Sequence, residues 1–333
     1  MMVWTMAQAD KCTPDECGFL GVCPEDMKCP LEPREPEASP DRDILALYRT
    51  YHGQEGPVLS LAVSPDGKTM LSGGADSAMR LWDVEKGSQL QMFEGHTNDV
   101  SAVAFAGENA ISGSWDNTLR IWSLRTGAMK HVIGGFDYYI RAMAASPDGH
   151  RALVGSGDKT VKYVDLETGD TVHTMIGHNN VVSAVAFAGE NAISGSWDRS
   201  ISFWDVKAGK YLRSFDGHQG YVYALAASPD GRHLLSGSGD KTAKYWDTGT
   251  GECLGTFKGH NGHVKAVALT PDGQYAVSGS SDRKLKVWDI KSGQCLQTID
   301  AHDDVINAVA MSPDGRFLLS GGRDQIVKRW EFL

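Results

Sequence analysis

The chain lacks any run of apolar residues long enough to cross a membrane. A membrane-spanning helix needs about 18 or more consecutive, mostly apolar residues, and none of the 333 positions begins such a run. The opening residues MMVWTMAQADKC also lack the basic start and the apolar core of a secretory signal. These two absences predict a cytoplasmic protein with no membrane insertion.

The chain also lacks a surplus of positive charge. It has 32 Lys and Arg against 42 Asp and Glu, for a net charge of −10. Nucleic acids and acidic membranes are bound by clusters of Lys and Arg that neutralise phosphates. We therefore expect neither of them as a partner.

Recognisable catalytic motifs are missing as well. The sequence contains no G-x-S-x-G, no phosphate-binding glycine loop that ends in Gly-Lys, no H-E-x-x-H and no C-x-x-C-H. We therefore predict that the protein is not an enzyme.

Cysteine and proline are scarce except near the N-terminus. Residues 1–43 hold four of the six cysteines, six of the twelve prolines and ten acidic residues against four basic ones. Segments of this composition have too few apolar groups to offset the entropy of ordering the chain. We predict two domains, an acidic Cys/Pro-rich extension and linker over 1–43 and a folded domain over 44–333.

The four N-terminal cysteines form a candidate metal site. Cys12, Cys17, Cys23 and Cys29 are separated by four, five and five residues. Four thiolates can enclose zinc or an iron–sulfur cluster, although this spacing matches no standard motif. Disulfides and unconnected thiols are the alternatives, and the sequence leaves all three open.

Glycine is abundant, with 38 copies, and the sequence repeats from residue 44 onward. Equivalent apolar positions recur every 40 or 42 residues, and the 17 residues of 100–116 are identical to 182–198. Each repeat contains four short apolar segments separated by turn residues such as SPDG. The register positions are Val58, Val100, Ile140, Val182, Val222, Val264 and Ile306.

Two dipeptides recur at fixed places in these repeats. Gly-His occurs at residues 95, 177, 217 and 259, and Trp-Asp occurs at residues 82, 204, 246 and 288. On these motifs the chain resembles the WD-repeat (Trp-Asp) family. The resemblance implies an all-β, seven-bladed β-propeller. Because the seventh repeat stops after its third strand, we predict that Ile44–Tyr51 supplies the missing fourth strand.

The resemblance also implies a hydrogen-bonded His, Ser, Asp and Trp set within each blade. Five repeats hold the whole set, and five identical copies cannot all be active sites. Repeat one has Gln54 at the His position, with His52 two residues earlier. Repeat three has Phe136, Val154 and Val164 instead, which predicts an apolar layer in that blade. The five sets are His96, Ser112, Asp116, Trp122; His178, Ser194, Asp198, Trp204; His218, Ser236, Asp240, Trp246; His260, Ser278, Asp282, Trp288; and His302, Ser320, Asp324, Trp330.

Proteins that resemble this chain commonly bind peptides or proteins at the rim of the central channel. The corresponding positions here are rich in aromatic and basic residues, which dominate binding hot spots and suit a peptide with aromatic and acidic groups. For the two tryptophans, packing on the neighbouring blade is an equal alternative. The candidate partner-binding residues are Trp115, Tyr139, Arg141, Trp197, Tyr221, Tyr223, His263, Lys265 and Arg323.

The leading functional prediction is a non-catalytic interaction scaffold. Its channel rim would bind partner proteins, and the cysteine-rich arm would dock into or crosslink a larger complex. The alternative is an accessory subunit of a redox or metalloenzyme complex, in which the N-terminal cysteines bind zinc or an iron–sulfur cluster. A fold alone does not choose between them.

Overall fold

The computed structural model describes residues 43–333, and these residues form strands and turns with no helix. Each strand has five to seven residues, rich in Val, Ile, Leu and aromatic side chains, and turn residues end it. The strands are β1 (Leu45–Tyr51), β2 (Val58–Val63), β3 (Thr69–Gly74), β4 (Met79–Asp83), β5 (Gln89–Phe93), β6 (Val100–Ala106), β7 (Asn109–Ser114), β8 (Leu119–Ser123), β9 (Met129–Ile133), β10 (Ile140–Ala145), β11 (Arg151–Ser156), β12 (Thr160–Asp165), β13 (Thr171–Ile176), β14 (Val182–Ala188), β15 (Asn191–Ser196), β16 (Ile201–Asp205), β17 (Lys210–Phe215), β18 (Val222–Ala227), β19 (His233–Ser238), β20 (Thr242–Asp247), β21 (Cys253–Lys258), β22 (Val264–Leu269), β23 (Tyr275–Ser280), β24 (Lys284–Asp289), β25 (Cys295–Asp300), β26 (Ile306–Met311), β27 (Phe317–Gly322) and β28 (Val327–Phe332).

The strands form seven antiparallel four-stranded sheets, which are the seven predicted blades. Blades one to six are each four consecutive strands, from β2–β5 in blade one to β22–β25 in blade six. Within a blade we call the strands a to d from the channel outward. Blade seven takes its strands a, b and c from β26, β27 and β28, and its strand d is β1. The predicted seven-bladed propeller is therefore confirmed.

Tight turns at both ends of each blade define the two faces of the disc. The a–b and c–d turns lie together on one face, where Val84 N donates to Lys68 O at 2.9 Å. The b–c turns and the d–a loops lie on the opposite face, where Trp115 N donates to Asp99 O at 3.0 Å. We call this second face the top face.

The hydrophobic core lies between neighbouring blades. Each cluster of buried residues combines strands of one blade with strands a, b and c of the next, as where Ile193 and Phe215 of blade four pack with Val222 of blade five. Gly195 permits this close approach, because a Cβ there would lie 2.6 Å from Val222 Cγ1. The blades therefore stabilise one another.

Strand β1 closes the ring as predicted. It pairs antiparallel with β28, with Leu45 opposite Phe332 and Tyr51 opposite Val327. Leu45 and Tyr51 are each only 1% exposed. The Tyr51 hydroxyl donates to the carbonyl oxygen of Val84 in blade one at 2.7 Å, so the strand also contacts the next blade.

The predicted N-terminal extension, except for Asp43, and the predicted metal site at Cys12, Cys17, Cys23 and Cys29 fall on residues outside the described range. Both stay predictions. Within residues 43–333 no cluster of three or more His, Cys, Asp or Glu side chains is arranged to hold a metal ion. No helix of the described residues is long and apolar enough to span a membrane.

Candidate partner-binding face

Five blades contain the same buried chain of four hydrogen-bonded side chains. In blade five, Trp246 Nε1 donates to Ser236 Oγ at 2.8 Å, and that oxygen lies 2.7 Å from His218 Nε2. His218 Nδ1 lies 2.8 Å from Asp240 Oδ2. The other four sets show the same contacts, between 2.7 and 3.0 Å. The predicted networks are therefore confirmed.

Each network is satisfied when its histidine is neutral. The Ser hydroxyl then donates to Nε2, and Nδ1–H donates to the carboxylate. Burial lowers the pKa of His96 and of His260, and the carboxylate beside each ring offsets this only in part. Burial would raise the pKa of Asp198, but hydrogen bonds from His178 and Ser200 outweigh it and bring the pKa far below its usual range.

The order Ser, His, Asp matches the geometry of a hydrolase triad, but these serines cannot act as nucleophiles. Ser236 has no exposed surface, and its Oγ already accepts the hydrogen bond of Trp246. A nucleophile must present its oxygen to a substrate. Asp240 also accepts a hydrogen bond from Gln219 N at 3.0 Å, so the network ties the d–a loop to the b–c turn. Its role is to hold the top face in shape.

Blade one replaces the histidine with Gln54, and the structure settles which residue completes its network. Gln54 Nε2 donates to Ser72 Oγ, while His52 is exposed. Arg80 Nη1 donates to Gln54 Oε1 at 3.2 Å and to Asp76 Oδ2 at 2.6 Å. An amide and a guanidinium therefore perform the task of the imidazole.

Blade three has the apolar layer that the sequence predicts. Phe136, Val154 and Val164 are all buried in one cluster. Lys162 Nζ lies 4.8 Å from the centroid of the Phe136 ring and donates to Gly135 O at 2.7 Å. The blade therefore replaces a polar network with packing and one cation–π contact.

Aromatic side chains on the top face join neighbouring blades. The ring of Trp115 in blade two lies 5.5 Å from that of Tyr139 in blade three. In blade four, Trp197 stacks on Tyr221 of blade five at 5.6 Å, with 18° between the ring planes. Both tryptophans thus contact the next blade, yet Trp115 is still 41% exposed. Trp115 therefore packs on the next blade and still has exposed ring surface that is available to a partner.

A cleft of 690 Å³ opens on the top face between blades four, five and six. Tyr221 lies 6.2 Å from Tyr223, centroid to centroid, and Tyr223 stacks on His263 at 5.8 Å. Four of the predicted residues therefore line one cavity. The lining residues are Asn179, Asn180, Trp197, Asp198, Arg199, Gln219, Gly220, Tyr221, Tyr223, Gly239 and His263.

Glycine in blade five creates the room for this cleft. Gly239 occupies the position of the two tryptophans, and a Cβ there would already lie 3.3 Å from Tyr223 Cε2. Blade three has the equivalent Gly157, but Tyr138 stands where blade five has Gly220, with its ring 5.0 Å from Tyr139. The two halves of the duplicated sequence therefore differ, and the cleft lies beside blade five.

The remaining predicted residues do not line the cleft. Arg141 and Lys265 line a cavity of 150 Å³ in the channel, together with Tyr223. Lys265 Nζ lies 4.4 Å from the centroid of the Tyr223 ring. Arg323 lies apart in blade seven, where its Nε is 4.0 Å from Asp304 Oδ2. The structure thus brings six candidate residues to the cleft and the channel, pairs Trp115 with Tyr139 outside the lining of both, and leaves Arg323 apart.

Sequence reasoning missed several residues of this face. Arg199, Asn179 and Asn180 line the cleft, although none flanks a register position in the way the family's binding residues do. The signal that could have found Arg199 is its place directly after the Asp of the b–c turn, a position that recurs in all seven repeats.

The fold and this face define a seven-bladed β-propeller with a polar channel and an aromatic cleft on its top face. The chain belongs to the WD-repeat family. The motif described as WD domain, G-beta repeat matches seven segments, residues 45–83, 87–123, 127–165, 169–205, 209–247, 251–289 and 293–331.

Individual relatives match over short segments. Eukaryotic translation initiation factor 3 subunit I of Phaeosphaeria nodorum is 41% identical over 49 residues, which are 15% of this chain and 15% of the relative. A guanine nucleotide-binding protein subunit beta of Oryza sativa subsp. indica is 42% identical over 65 residues, 17% of each chain. Small ribosomal subunit protein RACK1 of Schizosaccharomyces pombe is 32% identical over 66 residues, 20% of this chain and 21% of the relative. The matches therefore cover about a fifth or less of these relatives.

Proposed function

We propose that the protein is a non-catalytic scaffold whose top face binds a segment of a partner protein. The observation that carries this proposal is the cleft of 690 Å³ in which Trp197, Tyr221, Tyr223 and His263 converge. Interface hot spots are enriched in Trp, Tyr and Arg. Tyr221 is 47% exposed, so a partner has apolar ring surface to bury.

The names of the relatives support a role within an assembly. Two of the relatives are described as subunits, one of a translation initiation factor and one of a guanine nucleotide-binding protein. A rigid disc that holds its loops by repeated buried networks is suited to the same task. We therefore propose that this chain is also a subunit of a multiprotein complex.

Replacing an aromatic residue of the cleft tests the proposal. The tagged full chain and its Tyr221→Ala and Trp197→Ala variants are isolated in parallel from the native source, and the partner chains are identified. We expect both variants to bind the partner about 30-fold or more weakly, the loss of about 2 kcal/mol that defines a hot spot.

Tyr211→Ala is the matched control. Tyr211 is 50% exposed, close to the exposure of Tyr221, but it lies on the outer strand β17. It should leave the partner bound. Equal retention of the partner by the wild type, the cleft variants and a Trp115→Ala, Trp197→Ala double variant would place the binding site elsewhere.

The N-terminal arm has its own test. We propose that it docks into the complex, and a zinc or iron–sulfur site at its cysteines stays a prediction, as do the redox-subunit alternative and the cytoplasmic location. Anaerobic purification followed by iron and zinc analysis tests the metal site. Stoichiometric iron with a visible charge-transfer band favours the redox alternative, and a colourless protein without iron contradicts it.

A further inference from the structure

The channel contains two basic side chains that have no hydrogen-bond or ion-pair partner among the described residues. One residue per blade follows the register position and lines the 150 Å³ channel cavity. Most of the polar ones contact the next blade: Ser101 Oγ donates to Ile140 O at 2.6 Å, and Asn307 Nδ2 donates to Val58 O at 2.9 Å. The seven positions are Leu59, Ser101, Arg141, Ser183, Tyr223, Lys265 and Asn307.

Arg141 and Lys265 differ from these neighbours. Among the described residues, neither forms a side-chain hydrogen bond or an ion pair, and no carboxylate lines the cavity. Burial lowers the pKa of Lys265, and the charge of Arg141 lowers it further. The two cations thus oppose each other in a partly dry space, and an anion between them would relieve this.

The b–c turns add a second line of evidence. In all seven, the residue after the Asp is not glycine and has a φ between 63° and 77°. An L-residue pays steric strain in this region that glycine avoids. Strained residues of this kind cluster at active sites and ligand-binding sites. The seven residues are Ser77, Asn117, Lys159, Arg199, Lys241, Arg283 and Gln325.

The basic members of this set are not scattered. Lys159, Arg199, Lys241 and Arg283 are exposed and belong to blades three, four, five and six. Arg141 lies in blade three and Lys265 in blade six. The other blades carry acidic residues on the same face, at Glu55, Asp99, Asp303 and Asp304. The top face is therefore mostly basic over blades three to six, where Asp137 and Asp216 are exposed acidic exceptions, and mostly acidic over the rest, where Arg323 is an exposed basic exception.

We propose that this basic half of the top face binds an acidic segment of the partner protein, with one carboxylate held in the channel by Arg141 and Lys265. The inference deepens the proposed function and rests on it. Tyr223 lines both the cleft and the channel cavity, so one segment can reach both. The strained cations of the b–c turns then contact the remaining acidic groups.

A fluorescein-labelled octaglutamate peptide tests the inference by fluorescence anisotropy with the full chain. The Arg141→Ser, Lys265→Ser double variant should bind it about tenfold or more weakly, as expected when hydrogen bonds to a charged group are lost. Serine stands at the equivalent positions 101 and 183, so the fold accepts it.

The control variant removes two positive charges from the face opposite the top face. Arg125 and Lys291 lie in equivalent c–d turns, and both are exposed. The Arg125→Ser, Lys291→Ser variant should bind octaglutamate within about twofold of the wild type, because these charges lie on the opposite face of the disc and physiological salt screens exposed charges beyond a Debye length of about 8 Å. Equal weakening in both double variants would overturn the inference.

Two further measurements separate this inference from others. Arg199→Gly with Lys241→Gly should weaken octaglutamate binding several-fold while raising the thermal midpoint, because glycine relieves the strained turns.

Tighter binding of an octauridylate RNA than of octaglutamate would overturn the choice of a protein segment. If octaglutamate does not bind the wild type, this inference is overturned. The proposed function is tested separately, by whether the Tyr221→Ala variant loses the partner at the cleft.

Discussion

Removing one hydroxyl from a buried network should cost several kcal/mol. In blade five, Ser236→Ala deletes the oxygen that accepts from Trp246 Nε1 and contacts His218 Nε2. Trp246 has no exposed surface and His218 has 6%, so water cannot replace the lost partner. Each orphaned buried group costs about 1–3 kcal/mol. We expect the free energy of unfolding to fall by about 2–6 kcal/mol.

Urea denaturation followed by tryptophan fluorescence measures this loss. Ser88→Ala is the control, because Ser88 is exposed and its side chain forms no hydrogen bond with a described residue. Surface changes of this kind stay within about 0.5 kcal/mol. Ser320→Ala in blade seven repeats the test, since its hydroxyl contacts His302 Nε2 and Trp330 Nε1 at 2.7 and 2.8 Å. A cost in Ser236→Ala no larger than in Ser88→Ala would refute the reasoning.

Two predictions concern acid and truncation. The pKa of His96 and His260 is lowered in the folded state, so their contribution to stability is complete above the unfolded value of about 6.5 and falls as the pH drops below it. The lowered pKa of Asp198 adds a second loss of stability below about pH 3.8. Thermal midpoints measured from pH 8 to pH 3 should fall in both stages. A thermal midpoint that stays constant between pH 7 and pH 5 would contradict the histidine stage. Deletion of residues 1–43 should leave the disc folded, as judged by circular dichroism and gel filtration. Deletion through Tyr51 also removes the buried Leu45 and Tyr51, whose apolar burial is worth about 3–6 kcal/mol, and exposes the edge of β28. This variant should therefore lose stability and aggregate. An unchanged thermal midpoint and a monomeric peak in gel filtration would contradict this expectation.

Much of the fold could be predicted because the sequence pattern of one blade recurs seven times along the chain. A single Trp-Asp pair says little, but the spacing of 40 or 42 residues between register positions indicates a repeat architecture, and the resemblance to the WD-repeat family implies that the seven modules form a ring. The missing strand of repeat seven pointed to Ile44–Tyr51, and β1 covers Leu45–Tyr51. Gln54 was harder to assign, because its side chain reaches Ser72 only through a loop conformation that the sequence does not reveal.

The candidate site was less predictable because it depends on neighbours in other blades. Trp115 and Trp197 lie in identical stretches of sequence, yet their contacts differ: one is tilted by 43° against Tyr139, the other stacks on Tyr221. The width of the cleft depends on Gly239, whose missing side chain matters only beside Tyr223. The sequence pattern within one repeat does not show which residues of a neighbouring blade pack against it.

The seam between β1 and β28 has a consequence for how the protein is made. A ribosome synthesises Tyr51 about 276 residues before its partner Val327, a delay of about 14–55 s at 5–20 residues per second. During that interval β1 lacks its partner β28. Nascent chains of this protein therefore present an unpaired apolar strand until β28 has been synthesised, and molecular chaperones are most needed in this interval.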